Sequence, residues 1–201
     1  MSVTVIPCYD FGMRWEPDGR SRLEQAALEL YRDNGFEKTT VTEIAARAGL
    51  TERTFFRHFA DKREVLFGGA ELLREYLVGQ VDAAAPSLNA FEAVITALID
   101  TADTIFEPRR EPARLRQRVI EANTGLRERE LVKLADLGIA ISGALRERGS
   151  TEPEASLAAE SGIAVLRVAF QRWTEDPGEH PLAYYVREAA EVLANTVAPQ
   201  G

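Results

Sequence analysis

The chain has 201 residues, of which 45% are hydrophobic and 28% are charged, and its formal net charge is −8. This length and composition are ordinary for a globular protein of one or two domains. No apolar run approaches the roughly 18 residues that a membrane-spanning helix needs. The first residues lack the basic start and long apolar centre of a signal peptide, so we expect a cytoplasmic protein without a membrane partner.

Residues that commonly bind metals are scarce. The single cysteine, Cys8, excludes an intrachain disulfide, and His58 and His180 lack the spacing of metal ligands. No nucleophile elbow, phosphate-binding loop or paired-carboxylate motif is found. We therefore predict no structural metal, no cofactor and no enzymatic activity.

The first predicted helix follows an irregular segment. Residues 1–19 show no sustained periodicity and contain two prolines and two glycines, which predicts a flexible arm. A helix is predicted from about Arg22 to Asn34, because Ser21 and Glu24 have the spacing of a capping box and the apolar residues then recur every three or four positions. Gly35 follows its end.

The stretch from Thr40 to Lys62 predicts two short helices joined by a tight turn. In the first, the apolar residues recur at helical spacing, and Gly49 follows at the position where a positive φ would end the helix. Thr51 is placed to cap the second helix, which Phe55 and Phe59 anchor inward. Two helices that cross steeply through so short a turn form a helix-turn-helix.

The run from Arg22 to Phe67 resembles the DNA-binding domain of TetR-family repressors of bacteria. The residues that carry the match are Ala27, Leu30, Gly35, Phe36, Thr39, Thr40, Ile44, Ala45, Ala48, Gly49, Thr54, Phe55, His58, Phe59, Lys62 and Leu66. The resemblance implies double-stranded operator DNA as a partner. It also implies that the second short helix enters the major groove.

Base recognition is expected at the start of that second helix, where Glu52, Arg53 and Thr54 lie. Arg53 can donate to guanine O6 and N7, and Glu52 can accept from a cytosine amine. The resemblance places phosphate contacts at five further positions. These are Thr42, Thr51, Arg57, His58 and Lys62. For His58, a partly buried spacer is an equally open interpretation.

Two features qualify this resemblance. The family most often has tyrosine where this chain has Phe56, so a phosphate hydrogen bond is replaced by packing against a sugar or a thymine methyl group.

The acidic total also needs a local check. Residues 20–63 contain 9 basic and 7 acidic side chains, a balance of +2, so the rest of the chain carries −10. A locally basic head on an acidic body is compatible with DNA binding.

The sequence divides into three parts: a flexible arm (1–19), a DNA-binding domain (20–67) and a helical domain for effector binding and dimerisation (68–201). The arm is either disordered or reaches a DNA groove. Lys62 is expected to begin a long fourth helix that runs to about Ala84, with an acidic capping box from Asp61 and Glu64. Gly68 and Gly69 interrupt this helix, which favours close packing, fraying or a hinge.

Helical periodicity continues to the end of the chain, without a strand signal. Further helices are predicted from about Asn89 to Phe106, from Pro112 to Asn123, from Leu126 to Arg148, from Thr151 to Trp173, and from Pro181 to Val197. The fold class is therefore all-α, with about nine helices.

Residues 109–173 resemble the C-terminal domain that is described as binding acyl-CoA-like ligands in some TetR-family regulators. The resemblance rests on an arginine-rich sixth helix, the start of the seventh helix and Trp173 near the end of the eighth. It implies an elongated apolar effector. Candidate pocket walls, for which ordinary helical core is the open alternative, are Phe91, Ile95, Leu98, Phe106, Ile120, Phe170 and Trp173. Arg114, Arg116 or Arg118 is expected to meet an anionic end.

One head reads too few base pairs for specificity, so we expect a homodimer that reads a palindrome. The eighth and ninth helices are expected to form the interface through Leu166, Phe170, Ala189 and Leu193, and packing of these residues inside the single chain is the open alternative. The function predicted is a ligand-responsive repressor that a small hydrophobic effector releases from its operator. Two alternatives are open: an all-helical enzyme or lipid carrier with an incidental helix-turn-helix, and a DNA-binding protein without an effector.

Overall fold

A computed structural model describes residues 19–197, and within that range every regular element is helical. Nine α-helices lie in the described part of the chain. In chain order they are α1 (Gly19–Asn34), α2 (Val41–Arg47), α3 (Glu52–His58), α4 (Ala70–Ala83), α5 (Ala90–Thr101), α6 (Arg110–Glu121), α7 (Thr124–Glu147), α8 (Glu152–Glu175) and α9 (Leu182–Val197). The all-α fold is therefore confirmed. The predicted arm, apart from Gly19, and Cys8 fall outside the described residues.

The first three helices form a small head whose boundaries follow local capping signals. The Thr40 hydroxyl accepts from the Glu43 amide at 3.2 Å, and the Glu43 carboxylate accepts from the Thr40 amide at 2.8 Å. The Thr51 hydroxyl accepts from the Thr54 amide at 3.2 Å. Gly49 has a φ of +66°, a conformation that costs glycine no steric strain. The predicted helix-turn-helix is confirmed by these contacts.

The start of α1 differs from the prediction. The helix already includes Gly19, so Ser21 lies within the helix and not before its first residue. The residues of α1 that face inward are those expected from the periodicity, Leu23, Ala26, Ala27, Leu30 and Tyr31. With Ile44 and Phe55 they form the core of the head.

The predicted long fourth helix is broken. A 3-10 turn (Glu64–Phe67) comes first, and α4 begins only at Ala70. Arg20 donates to the carbonyl of Gly68, and a Cβ atom at Gly68 would clash with the carboxylate of Glu24. Close packing of α1 against this residue therefore explains Gly68. Asp61 does accept from the amides of Arg63 and Glu64, at 2.7 and 3.1 Å, but these bonds precede a 3-10 turn and not an α-helix.

The other helices form a larger body around one apolar core. α4, α5, α7, α8 and α9 contribute its buried residues, which include Leu77, Leu98, Ile141 and the fully buried Trp173. α5 and α8 approach closely at Gly162, where a Cβ atom would collide with Val94. These helices therefore pack as a layered bundle behind the head.

The chain between α5 and α6 changes its helical period. A π segment (Ala102–Phe106) continues α5, and a short 3-10 turn (Glu107–Arg109) carries Pro108. Its Phe106 ring packs against the body core. Residues 102–109 thus carry the chain from α5 into α6 within one continuous helical path.

The head core also uses residues from beyond the helix-turn-helix. Val119 and Ile120 at the end of α6, and Leu126 at the start of α7, are buried in the same apolar cluster as Leu23 and Phe55. The division at residues 67 and 68 stays a prediction. Separately, none of the helices described between residues 19 and 197 has the length and apolar character to cross a membrane.

Candidate nucleic-acid interface and its link to the body

The α3 helix presents one polar face outward because its aromatic residues anchor the other face. Phe55 is fully buried and Phe59 is nearly so, and their ring centroids lie 5.6 Å apart. Thr51, Glu52 and Arg53 are exposed at the N-terminal end of α3. A helix held at its inner side in this way can offer its outer side to a groove.

Arg53 and Arg57 lie four residues apart on α3, and both are exposed. Within residues 19–197, the Arg53 side chain makes no hydrogen bond or ion pair. The Arg57 guanidinium approaches only the His58 ring nitrogen, at 3.5 Å. Neither side chain is folded back onto the protein, so both guanidinium groups can reach a partner.

The threonines and Glu52 near the start of α3 are linked to one another. The Thr42 hydroxyl of α2 donates to the Glu52 carboxylate at 2.5 Å, and the hydroxyls of Thr51 and Thr54 are 3.0 Å apart. Thr42 is therefore placed to orient Glu52, since its only hydroxyl proton is used in this bond. A phosphate bond donated by Thr42 requires that contact to open.

Phe56 is 55% exposed, in the middle of the outward face of α3. Its ring meets Phe55 edge to face, with centroids 5.5 Å apart. An aromatic ring held in this way can offer apolar contact but no hydrogen bond. His58, by contrast, is half-buried, and its ring lies against Phe59 with centroids 6.4 Å apart.

Lys62 is not placed as the sequence predicted. It lies in a turn before the 3-10 turn and does not begin an α-helix. Its ammonium donates to three carbonyls, those of Phe36 (2.9 Å), Glu37 (3.1 Å) and Thr39 (3.0 Å). An ammonium has three protons, so all are used within the head. The expectation that Lys62 begins an α-helix is wrong, and its phosphate contact stays a prediction.

The backbone of Lys62 is held as firmly as its side chain. The Tyr31 hydroxyl donates to the Lys62 carbonyl at 2.6 Å. Burial, together with the nearby Asp61 carboxylate, raises the pKa of Tyr31 far above its ordinary value, so the phenol stays a donor. Lys62 thus joins the turn after α3 to α1 and to the α1–α2 loop.

The basic residues of the head divide into paired and unpaired groups. Arg20, Arg32 and Arg47 form ion pairs with Glu24, Asp33 and Glu29, and Arg22 donates to the Ala48 carbonyl. Lys38 in the α1–α2 loop is exposed and has no hydrogen bond or ion pair within the described chain. Lys38 is absent from the predicted phosphate contacts, although its position two residues before the Thr40 cap could have indicated it.

A polar link joins the 3-10 turn to the body. Glu64 pairs with Arg129 and lies 3.9 Å from the Lys133 ammonium, both on α7. Arg116 of α6 donates to the Leu66 carbonyl at 2.6 Å and pairs with Glu130 at 3.0 Å. Because the 3-10 turn directly follows the helix-turn-helix, these contacts connect α6 and α7 to the head.

Arg116 is also packed against an aromatic ring. Its guanidinium lies 5.1 Å from the centroid of Phe67. Burial lowers the pKa of Arg116 from its ordinary value, while Glu130 acts in the opposite direction. Arg116 is therefore committed to this link and is not available to an effector.

The residues predicted to line the effector pocket are only partly brought together. Phe106, Phe170 and Trp173 form one aromatic cluster, in which Phe170 lies 5.4 Å from each of the other two rings. Leu98 is buried in the same core, against which Phe91 and Ile95 are partly buried. These six residues belong to the body.

Two predicted effector residues lie elsewhere. Ile120 is fully buried in the core of the head, so its place as a pocket wall is corrected: the inner face of α6 turns toward α1 at this point. Arg118 is exposed and has no partner within residues 19–197. Two surface clefts, of about 430 and 340 Å³, both lie at the head and are not lined by the predicted pocket residues.

The predicted dimer residues also need correction. Leu166 is 6% exposed and Ala189 is 9% exposed, so both belong to the core of the single chain. Phe170 and Leu193 are partly buried against the same core. The apolar side chains that α8 and α9 do expose are Leu157, Val168, Tyr184 and Val192. Helical periodicity had selected the inward side of both helices, and an interface on α8 and α9 stays a prediction.

Two family profiles match the chain. The profile described as "Bacterial regulatory proteins, tetR family" matches residues 24–67, and the profile described as "MftR C-terminal domain" matches residues 88–198. The first covers the helix-turn-helix and the 3-10 turn. The second covers more than half of the chain, from just before α5 to the end of α9.

Relatives are found among characterised and putative regulators. The chain is 26% identical over 157 residues to the putative mycofactocin biosynthesis transcriptional regulator MftR of Mycobacterium tuberculosis, a match that covers 77% of this chain and 79% of the relative. It is 36% identical over 75 residues to the HTH-type transcriptional regulator TcmR of Streptomyces glaucescens. The latter match covers 37% of this chain and spans only 33% of TcmR.

Solved structures share the fold at low sequence identity. FadR of Thermus thermophilus, a repressor in complex with lauroyl-CoA, has a TM-score of 0.55 and 23% identity, with 90% of this chain and 96% of that chain covered. FadR of Bacillus subtilis in complex with stearoyl-CoA has a TM-score of 0.62 and 19% identity, with 88% and 98% covered. At such identities the likeness concerns the fold.

Proposed function

Because the chain belongs to the TetR family of bacterial regulatory proteins, and is thus a transcriptional regulator, we propose that it is a ligand-responsive repressor. In this proposal a homodimer binds a palindromic operator in the cytoplasm. A small hydrophobic effector, acyl-CoA-like in character, releases it. The observation that carries the proposal is the outward face of α3, on which Arg53 and Arg57 are exposed without an ion-pair partner in the described chain.

Arg53 is proposed to read a guanine. Its guanidinium can donate to O6 and N7 together, which is the commonest specific contact in the major groove. Glu52, oriented by Thr42, is proposed to accept from a cytosine amine. Phe56 is proposed to pack against a sugar or a thymine methyl group. Glu52 and Arg53 lie at the N-terminal end of α3, the part of a recognition helix that meets base edges, and Phe56 lies one turn further along.

Phosphate contacts are proposed on both sides of this face. Thr51, Arg57 and His58 remain candidates from the original set, and Lys38 joins them because it is an exposed cation without a partner in the described residues. Lys62 is proposed to act indirectly, by holding the α1–α2 loop in place. Each direct phosphate contact by a cation releases a counterion and adds to the salt dependence of binding.

Dimerisation is proposed through the exposed side of α8 and α9. Leu157, Val168 and Val192 offer apolar area that the single chain leaves in contact with water. A two-fold axis between copies of this surface is the self-complementary arrangement that small symmetric dimers use.

An effector is proposed to bind in the body and to move the head. The aromatic cluster of Phe106, Phe170 and Trp173 offers apolar surface for its chain. The link from α6 and α7 to the 3-10 turn, through Arg116 and Glu64, supplies a route to the helix-turn-helix. An effector acts in this way only if it prefers the arrangement that does not bind DNA, since equal affinity for both would shift nothing.

The proposal is tested by operator release. An operator is first obtained by selecting duplexes from a random pool with the purified protein. The affinity of the protein for this operator is then measured with and without lauroyl-CoA, and with lauric acid and coenzyme A as controls. Release by lauroyl-CoA supports the full proposal. Binding that no ligand alters leaves a DNA-binding protein without an effector, and no selective DNA binding at all contradicts the proposal and reopens the lipid-carrier alternative.

A further inference from the structure

Arg114 of α6 has two hydrogen-bond donors buried without an acceptor. Its side chain is 16% exposed, and one terminal nitrogen, Nη1, pairs with the Glu111 carboxylate at 2.9 Å. The other two nitrogens, Nε and Nη2, are buried and have no hydrogen-bond partner. Glu111 is largely exposed to water, so it neutralises the buried guanidinium only weakly.

The other inward arginines of the same helix are fully engaged. Arg110 pairs with Glu107 at 2.9 Å and with Asp176 at 3.3 Å, and its guanidinium lies 5.1 Å from the Trp173 ring. Arg116 donates to the Leu66 carbonyl and pairs with Glu130. Arg114 is thus distinguished from both by its free donors, and from Arg118 by its burial.

Gln117 adds a second unpartnered polar group, one helical turn from Arg114. Its amide nitrogen donates to Glu121 at 3.0 Å, but its amide oxygen is buried without a donor. Residues three apart on a helix are surface neighbours, so the two side chains share one face of α6. On the same helix Ala113 packs against the body core and Ile120 lies in the head core, so along the helix axis Arg114 and Gln117 lie between these two contacts.

The free nitrogens of Arg114 have the geometry of an oxyanion site. Nε and Nη2 form one edge of the planar guanidinium, and such an edge donates two parallel hydrogen bonds to a carboxylate or a phosphate. Buried donors in native proteins are nearly always satisfied, and an unsatisfied buried group destabilises the fold. An oxyanion at this edge would supply both the acceptors and the countercharge.

We infer that Arg114, with Gln117 beside it, binds the oxyanion of an amphiphilic effector whose apolar chain lies in the body. This inference rests on the proposed function and names the chemistry of its ligand: a carboxylate or phosphate group attached to an alkyl chain. The Gln117 oxygen accepts a neighbouring N–H or O–H group of the ligand. Arg114 lies two residues before Arg116, so a ligand at this site is adjacent to the link that reaches the head.

The binding test compares anionic and neutral ligands of one chain length. Decanoate, decyl phosphate and 1-decanol are titrated calorimetrically into the full-length wild type and into the variants Arg114→Met and Arg118→Met. Hydrogen bonds to a charged group contribute enough that Arg114→Met should weaken both anionic ligands by about tenfold or more. Binding of 1-decanol should change less than about twofold, since it lacks the charge that Arg114 recognises. The anion that binds more tightly shows whether the site recognises a carboxylate or a phosphate group.

The matched control is Arg118→Met, which removes an exposed arginine from the same helix and should leave all three affinities unchanged. Equal losses for decanoate and 1-decanol in Arg114→Met, or equal losses in the two variants, overturn the inference. So does a wild type that binds neither anion. Without ligand, Arg114→Met should melt at the same temperature as the wild type or higher. A clearly lower melting temperature means that Arg114 is satisfied within the protein and also overturns the inference.

Failure of this inference can be told apart from failure of the proposed function. If the anions bind through Arg114 but do not alter operator affinity, the site stands and the effector response fails. If lauroyl-CoA releases wild type and Arg114→Met from the operator equally well, the effector response stands and the site is refuted.

Discussion

Two arginines of α3, in the head, and two of α6, in the body, are used in opposite ways. On α3, Arg53 and Arg57 extend from a rigidly anchored helix without an ion-pair partner in the described chain. In the body, Arg110 and Arg116 bond carboxylates and carbonyls on other elements. An exposed unpaired cation contributes little to folding, whereas a buried one must be satisfied. The comparison separates residues available to a partner from residues that hold the protein together, and it can be tested by substitution.

The largest loss of stability is expected for Arg116→Met. Removing this side chain leaves the Leu66 carbonyl and the Glu130 carboxylate without their donor, which should lower the free energy of unfolding by about 2–3 kcal/mol. Urea denaturation measures the change, with Arg118→Met as the matched control on the same helix. Equal stability of the two variants would show that the link between α6 and the 3-10 turn is weak.

A smaller loss is expected for Lys62→Met. The three carbonyls that its ammonium satisfies would lose a charged donor, which should cost about 1–3 kcal/mol of unfolding free energy. Since those three bonds use every proton of the ammonium, the slope of log affinity against log salt should stay the same on operator DNA. A slope reduced by about 1 would instead show a direct phosphate contact by Lys62.

Arg53→Ala should affect DNA and spare the fold. Loss of a bidentate base contact should cost about 1–3 kcal/mol of binding on the operator and relax the preference at one base position. Stability should change by less than about 0.5 kcal/mol, as for other exposed positions. Affinities for the operator and for single-base variants of it measure the first effect, and urea denaturation the second. Uniform losses on every duplex would reassign Arg53 to a phosphate.

The smallest effect is expected for Glu43→Gln, at the α2 capping box. The hydrogen bonds from Thr40 lower the pKa of Glu43 from its ordinary 4.5. A lowered pKa stabilises the folded state above the unfolded value and loses this effect as the pH falls through the folded value. The wild type should therefore melt slightly higher than Glu43→Gln at neutral pH, and the difference should shrink below about pH 4.5. A difference that is constant with pH would contradict a role for the charge.

The head could be predicted in detail because its signals are local. Thr40, Gly49 and Thr51 act on residues within three or four positions, so their effect can be read from the sequence. Lys62 could not be predicted in this way, because its three acceptors lie 23 to 26 residues earlier in the chain. No local pattern indicates that its ammonium is used for a loop of the head.

The body was predicted less completely, for a different physical reason. Helix α8 has apolar residues on two sides, and periodicity groups them without showing which side the chain itself covers. Leu166 proved to be inward and Val168 outward. Ile120 likewise belongs to α6 as predicted, but the last turn of that helix packs against the head. The free donors of Arg114 follow from tertiary packing, which sequence spacing does not contain.

The central claim is that paired α3 helices read base edges, and selection from a random duplex pool tests this claim most directly. Wild type should enrich an inverted repeat whose half-sites lie about one DNA turn apart, or a multiple of it. Arg53→Ala should enrich the same repeat with one symmetric pair of positions degenerate. A wild-type selection that yields single half-sites or no common sequence, or an unchanged consensus for Arg53→Ala, would contradict it.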